Sequence, residues 1–224
     1  SRSDKEKKDE IKMVPDMINL LGCSKENFKK LLKLMNYKVT ARNDEVYFKY
    51  NPIKKVKKIF TKKKKIINAW IHIDSISSAK VIAKAGFDAM TIDLQHGMFS
   101  FEKCRDIIQV IEKYEVFPIV RVPSNDIGII NKVLDAGAYG VICPLINNKT
   151  DVEKFTDACF YPPKGNRSFG PTLVSIDKDI YFDKGNKEVL SISMVETKES
   201  VNNLYDILDN KSLDMIYVGP YDLS

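Results

Sequence analysis

The sequence predicts an α/β protein in which a small, basic α+β module precedes an incomplete parallel (β/α)8 barrel. From Ile66 onward, short apolar runs alternate with segments of helical periodicity, as strands and crossover helices do. About six such β/α units follow one another, where a closed barrel needs eight. Two neighbouring runs end in acids, Glu196 in Ser191-Ile-Ser-Met-Val-Glu196-Thr and Asp222 in Met215-Ile-Tyr-Val-Gly-Pro-Tyr-Asp222. An acid just past the C-terminal end of a buried parallel strand stands where α/β barrels place their chemistry.

Bulk composition narrows the class. The 224 residues are 44% hydrophobic and 29% charged, which is ordinary for a soluble globular chain. No run reaches the length of a membrane span and no signal peptide opens the sequence, so a cytoplasmic protein without a membrane partner is expected. The cysteines (Cys23, Cys104, Cys143, Cys159) lack C-x-x-C spacing, which argues for reduced thiols and against a structural zinc site. Charge is unevenly placed. Residues 1–65 hold 20 Lys+Arg against 8 Asp+Glu, net +12; residues 66–224 hold 16 against 22, net −6. That contrast sets the expected boundary between a module over 1–65 and a barrel over 66–224.

In chain order, residues 1–10 are charged and lack apolar side chains, which predicts disorder. Met17-Ile-Asn-Leu-Leu-Gly22 is an apolar run closed by glycine, and Ser24 is placed to cap a helix over Lys25–Met35. Tyr37–Thr40 and Glu45–Tyr50 read as strands around the turn Arg42-Asn-Asp44, a winged-helix-like order. The lysine-rich stretch Lys54–Lys65 is the connector. In the barrel, strands are expected at Ile66–Ile73, Ala89–Asp93, Phe117–Arg121, Gly140–Cys143, Leu190–Val195 and Met215–Val218. Helices are expected at Ser77–Lys84, Ser100–Tyr114, Ile127–Asp135, Thr150–Cys159 and Ser200–Asp209, with Gly86 and Gly137 ending two of them. Pro171–Lys187 is weakly patterned and reads as a loop over a site or an interface.

Four strand ends carry polar residues. Ile92-Asp93-Leu94-Gln95-His96-Gly97 ends the second strand and Pro118-Ile-Val-Arg121-Val-Pro the third, while Glu196 and Asp222 end the fifth and sixth. Together they offer a base, a cation for an anionic substrate, and oxygen donors for a hard divalent cation. His72, without such company, reads as a surface residue of the first strand. Tyr161-Pro-Pro-Lys-Gly-Asn-Arg167 reads as a rigid loop.

Eight segments, in order, resemble the HpcH/HpaI aldolase family. They are Ala85-Gly-Phe-Asp88, Ile92-Asp-Leu-Gln-His-Gly97, Val120-Arg-Val-Pro-Ser-Asn125, Leu134-Asp-Ala-Gly-Ala138, Val141-Ile-Cys-Pro144, Tyr161-Pro-Pro-Lys-Gly-Asn-Arg-Ser168, Val195-Glu-Thr197 and Gly219-Pro-Tyr-Asp-Leu-Ser224. The resemblance implies a TIM-barrel lyase that reversibly cleaves a 4-hydroxy-2-oxo acid to pyruvate and an aldehyde through a metal-stabilised enolate. It implies Glu196 and Asp222 as ligands of Mg2+, Mn2+ or Co2+, and Arg121 as the contact of the keto oxygen. Backbone N–H groups around Gly219 and Tyr221 would receive the pyruvate carboxylate. His96 would be the acid/base group at the 4-hydroxyl, and Asp135 its partner. A homo-oligomer, trimer or hexamer, is implied for the full-length protein.

The chain departs from the family pattern at Gln95, where many members have Glu, and at Met194, where many have Gln. Its last two β/α units are absent, and an open barrel of this kind is expected to be marginally stable. An alternative function is nucleic-acid binding by the basic residues 1–65, whose segment Leu20–Phe28 faintly resembles the tail of bacterial helicase-related proteins; the barrel part would then be a non-catalytic fragment.

Overall fold

A computed structural model describes residues 10–21, 24–34, 37–42, 45–50, 65–170 and 185–223. The expectations for residues 1–9, for the turn at Asn43 and Asp44, for Cys23, for the connector up to Lys64, and for the loop over 171–184 lie outside the described residues. The chain divides into two compact units, Ser1–Lys54 and Lys55–Ser224.

In the first unit, strand β1 (Ile11–Lys12) precedes helices α1 (Pro15–Leu21) and α2 (Lys25–Leu34) and strands β2 (Tyr37–Arg42) and β3 (Glu45–Tyr50). Pro15 takes the first helical position, where its missing N–H costs nothing. The Ser24 hydroxyl accepts from the Asn27 N–H at 3.2 Å, so the expected cap forms. The short β1 has no sequence signal of its own; it adds antiparallel to β3, giving the sheet order β1-β3-β2. Met13, Phe28, Leu32, Val46 and Phe48 make the core, with Phe28 and Phe48 edge to face at 6.2 Å.

The second unit is a parallel sheet of strands β4 (Asn68–Ile71), β5 (Ala89–Asp93), β6 (Phe117–Arg121), β7 (Gly140–Cys143), β8 (Leu190–Val195) and β9 (Met215–Val218). Between them run α3 (Ile76–Lys84), α4 (Phe101–Glu112), α5 (Ile127–Asp135), α6 (Lys149–Cys159), α7 (Lys198–Asn202) and α8 (Leu204–Leu208). Spatial order equals chain order from β4 to β9, so there is no switch point of the doubly wound kind and the sheet grows as a barrel wall does. It also curls. Six strands laid flat would hold β4 and β9 about 24 Å apart at ordinary strand spacing. Yet the rings of Trp70 on β4 and Tyr217 on β9 stand 5.1 Å apart, across the concave face.

Both faces are covered, which is why β5 to β8 read as near-continuous apolar runs. Ile71, Ile92, Val120 and Val141 pack outward beneath Ile107, Ile108 and Phe155 of the helices. Phe117, Ile119, Ile142, Leu190, Ile192 and Met194 pack inward with Trp70 and Tyr217. Five helices start on side-chain caps: Ser75, Ser100, Asp126, Asn148 and Thr197. Gly86 (φ 91) and Gly137 (φ 110) follow α3 and α5 in the left-handed region where glycine is favoured.

Two elements differ from expectation. The first barrel strand pairs only over Asn68–Ile71, and Ile67 and Ile73 lie exposed outside the ladder. The helix expected over Ser200–Asp209 is two short ones. Thr197 starts the first with a capping box, and Asn203 breaks the run by donating its side-chain amide to the Asn147 carbonyl at 2.9 Å.

Phe155 is fully buried between α6 and the sheet. Phe155→Ala should cost about 3–5 kcal/mol in urea unfolding, and Val81→Ala on the exposed face of α3 less than about 0.5 kcal/mol.

Candidate active site

The site begins with Asp93, the last residue of β5, whose side chain is wholly buried on the concave face. Its Oδ1 accepts from Arg121 Nε at 2.8 Å and from the backbone N–H groups of Gln95 (3.0 Å) and His96 (3.2 Å). Its Oδ2 accepts from Arg121 Nη2 and from Trp70 Nε1 at 3.3 Å, and lies 2.8 Å from His72 Nε2. Burial pushes the Asp93 carboxyl up, but the Arg121 guanidinium, the His96 N–H and the Trp70 N–H outweigh it and hold the group down to about 2. Asp93 therefore stays ionised. It also shapes the loop after β5, since its own carbonyl accepts from Gly97 N–H at 3.1 Å. A Cβ on Gly97 would sit 2.2 Å from that carbonyl oxygen, so this turn needs glycine.

Arg121 ends β6 and is nearly buried. With Nε and Nη2 turned to Asp93, its Nη1 faces the thioether of Met194 at 4.0 Å, and its guanidinium carbon lies 5.0 Å from the Trp70 ring centre. A charge-fixed guanidinium with one weakly engaged nitrogen suits the oxygen of an anionic or enolising substrate.

The expected acid pair lies two and three strands further on. Glu196, just past β8, is 6% exposed, and its Oε1 accepts from Leu145 N–H at 2.7 Å. Leu145 adopts φ 54, which turns that N–H toward the carboxylate. Gly219, just past β9, brings the acids together. A Cβ there would lie 3.0 Å from Glu196 Cβ, 3.4 Å from Asp222 Oδ2 and 3.4 Å from Met194 Cε. Among the described residues no basic side chain pairs with Glu196 or Asp222. Nor does any group of three or more His, Cys, Asp and Glu converge there. Two carboxylates without a counter-cation fit a hard divalent ion that takes its remaining ligands from substrate and water.

Three expectations need correcting. Asp135 closes α5, at the end of the helix that leads into the start of β7, whereas His96 follows the end of β5. These are opposite ends of a parallel β/α layer. The Asp135 carboxylate accepts from Arg167 Nη2 at 2.6 Å instead, and Arg167 stacks on Tyr161 at 4.5 Å. Gly219 N–H is donated to the Val195 carbonyl at 3.1 Å, extending the β8–β9 ladder, so it is not the donor for a substrate carboxylate. His72 is no bystander of β4: it shares Asp93 with Arg121. His96 is exposed, and among the described residues its ring has no hydrogen-bond partner, its backbone alone being tied to Asp93. Tyr221 is exposed as well. Trp70, Asp93, Met194 and Tyr217 are further members of the site. An inward parity one residue before a strand end was the signal that could have found Trp70 and Met194.

Comparison with known proteins places the chain in a family. The HpcH/HpaI aldolase/citrate lyase family profile matches residues 67–224. The chain is 32% identical over 171 residues to a protein of Rhizorhabdus wittichii named hydroxypyruvate/pyruvate aldolase, covering 76% of this chain and 68% of that one. It is 32% identical over 162 residues to a 4-hydroxy-2-oxo-heptane-1,7-dioate aldolase of Escherichia coli, covering 70% of this chain and 62% of the relative. Among solved structures, one titled citrate synthase SbnG superposes with a TM-score of 0.70 at 30% identity, over 76% of this chain and 67% of that chain.

Asp93→Asn or Arg121→Met should each cost about 3–5 kcal/mol in urea unfolding, because each strands a buried partner. The double variant should lose clearly less than the sum. Asp93 is depressed from 3.8 to about 2, so its stabilisation is complete above pH ~4 and disappears as pH falls through ~2. Acid unfolding of the wild type should therefore steepen by roughly 2 kcal/mol across that window relative to Asp93→Asn.

Proposed function

Since the chain belongs to the HpcH/HpaI aldolase/citrate lyase family, we propose that it is a divalent-metal-dependent aldolase. Its reaction is the reversible cleavage of a 4-hydroxy-2-oxo acid to pyruvate and an aldehyde. The observation that carries this reading is the uncompensated pair Glu196 and Asp222 beside Gly219, on the same concave face as a guanidinium fixed by Asp93.

Glu196 and Asp222 would hold Mg2+, Mn2+ or Co2+, which, when bound, supplies a Lewis acid for the carboxylate and keto oxygens of a 2-oxo acid. Arg121 meets the keto oxygen and steadies the negative charge that gathers there as the C3–C4 bond breaks. Asp93 keeps that guanidinium aimed and charged. His96, at the open rim of the loop after β5, takes the proton of the 4-hydroxyl through water as C4 becomes the aldehyde carbon. Met194 and Trp70 wall the space with apolar surface, which limits water around the developing charge. The Tyr221 N–H, on the turn after Gly219, is the remaining candidate for the substrate carboxylate. Asp135, tied to Arg167, acts on the loop over Tyr161–Arg167 and not on His96 within the chain. A homo-oligomer and a cytoplasmic location accompany this reading; among the described residues no helix is long and apolar enough to cross a membrane.

Nucleic-acid binding by residues 1–65 gains no support. The family match begins at residue 67, and several basic side chains of the first unit pair with its own acids, Lys12 with Glu45, Lys29 with Glu26 and Arg42 with Glu10.

Pyruvate release from a 4-hydroxy-2-oxo acid, followed with and without Mg2+ or Mn2+, tests the proposal. Chelation should abolish release, and Glu196→Ala and Asp222→Ala should each lower it at least about 100-fold. Arg121→Met should lower kcat roughly 100- to 1,000-fold. A folded protein that releases pyruvate equally well without metal, or with both acids removed, would sink the assignment.

A further inference from the structure

We propose that His72 is the acid/base group at C3 of the 2-oxo acid, the carbon that becomes the methyl group of pyruvate. This rests on the aldolase reading above and adds a residue to it. The chain has two histidines, His72 and His96, and the structure holds them differently. His96 is fixed only through its backbone. His72 is fixed through its ring, with Nε2 2.8 Å from Asp93 Oδ2.

That same oxygen accepts from Arg121 Nη2, so one buried carboxylate sets an imidazole and a guanidinium side by side. A 2-oxo acid whose keto oxygen rests on Arg121 has C2 one bond from that oxygen and C3 two bonds from it. The proposed pose turns C3 toward the neighbouring ring. With Nε2 turned to Asp93, Nδ1 is the nitrogen left for the substrate. The Trp70 ring lies 6.4 Å away on one side, and the His72 side chain is 54% exposed, so the rest of the ring opens on the mouth of the sheet.

The strand parity points the same way. Trp70 and Tyr217 touch across the concave face, and His72 and Gly219 each lie two residues further along their strands, on the same inward parity. Gly219 is flanked by Glu196 and Asp222. His72 and Gly219 thus share the inward face, Gly219 beside the acid pair. The charged groups that face it are Asp93 from β5 and, through that carboxylate, Arg121 from β6.

In the cleavage direction the C3–C4 bond breaks and its electron pair becomes the C2–C3 π pair of the pyruvate enolate. The 4-hydroxyl loses its proton and C4 becomes the aldehyde carbonyl carbon. The enolate π pair then takes the proton on Nδ1 of His72 to form the new methyl C–H bond, and the ring recovers a proton from water. In the reverse direction Nδ1 takes a methyl proton from pyruvate. A carboxylate beside the far nitrogen steadies the positive ring in either direction, as in other histidine–aspartate pairs. His96 serves the 4-hydroxyl and His72 the carbon, so the two proton transfers fall to two residues.

Exchange of the methyl hydrogens of pyruvate with D2O, read by proton NMR in the presence of Mg2+ or Mn2+, isolates the step. It needs enolisation but neither an aldehyde nor a 4-hydroxyl. His72→Gln should slow exchange at least about 100-fold. His72→Gly should be slow as well and regain part of the rate on addition of free imidazole, which a structural loss would not do. Exchange in His72→Gln within about threefold of wild type would overturn the proposal. So would loss in His72→Gly that imidazole fails to restore, since the ring would then serve only to hold Asp93. A wild-type protein showing neither exchange nor pyruvate release overturns the aldolase reading, and this role with it. Release from the wild type together with normal exchange in His72→Gln overturns the His72 role alone.

Discussion

The Asp93 carboxylate, sealed from solvent at the end of β5, can remain charged only because a guanidinium is brought against it from β6. Most of the geometry of the candidate site hangs on that requirement. The pair locks the ends of two adjacent strands in register, and the second oxygen of the carboxylate reaches the side chains of Trp70 and His72 on a third. Two backbone N–H groups of the next loop complete it, so the path that carries His96 is set by the same six contacts. A neutral residue at 93 would leave Arg121 buried, unpaired and free to swing. The ion pair is thus less a contribution to stability than a device that fixes direction.

Curvature is the second requirement, and it is supplied by the inner face. Large side chains on the first and last strands meet only if the sheet bends, and the Trp70–Tyr217 contact shows that it does. Bending also draws the C-terminal strand ends toward one another. Glu196, Asp222, Arg121 and His72 come from four different strands, and no flat sheet of this width would gather them. The outer helices make this bend affordable, since their apolar stripes cover the convex face that opens as the concave one closes.

Much of this was legible in the residues. The β5, β6 and β8 strands appear where apolar runs of five or six residues end at polar ones, because strands buried on both faces have no other way to read. Glu196, Asp222 and Arg121 stood out for the same reason: a charge at the end of such a run needs a purpose. What stayed hidden were relations between distant residues. Nothing local distinguishes His72 from a solvated histidine, since its partner lies 21 positions away on the next strand. Asp135 was the opposite case. Its place in a motif suggested His96, whereas helix direction carries it to the other end of the layer, where Arg167 is the cation within reach. The single helix expected over Ser200–Asp209 is interrupted at Asn203, whose side-chain amide donates to the Asn147 carbonyl.

Charge balance explains why Met194 suits this site. Asp93 and Arg121 cancel one another, so Glu196 and Asp222 leave two negative charges at the mouth, one of them on a nearly buried carboxylate. A divalent cation held by the two carboxylates would balance that charge in full. A strongly accepting side chain at position 194 would compete with Asp93 for the guanidinium. The thioether, 4.0 Å from Nη1 and packed toward Gly219, competes weakly while filling the same space. Arg121 therefore keeps one nitrogen weakly engaged, which the proposed reaction would use for the keto oxygen. Under the proposed reaction the substrate would meet a cation on each side of the bond that gathers charge, a metal held by the acids and the guanidinium held by Asp93.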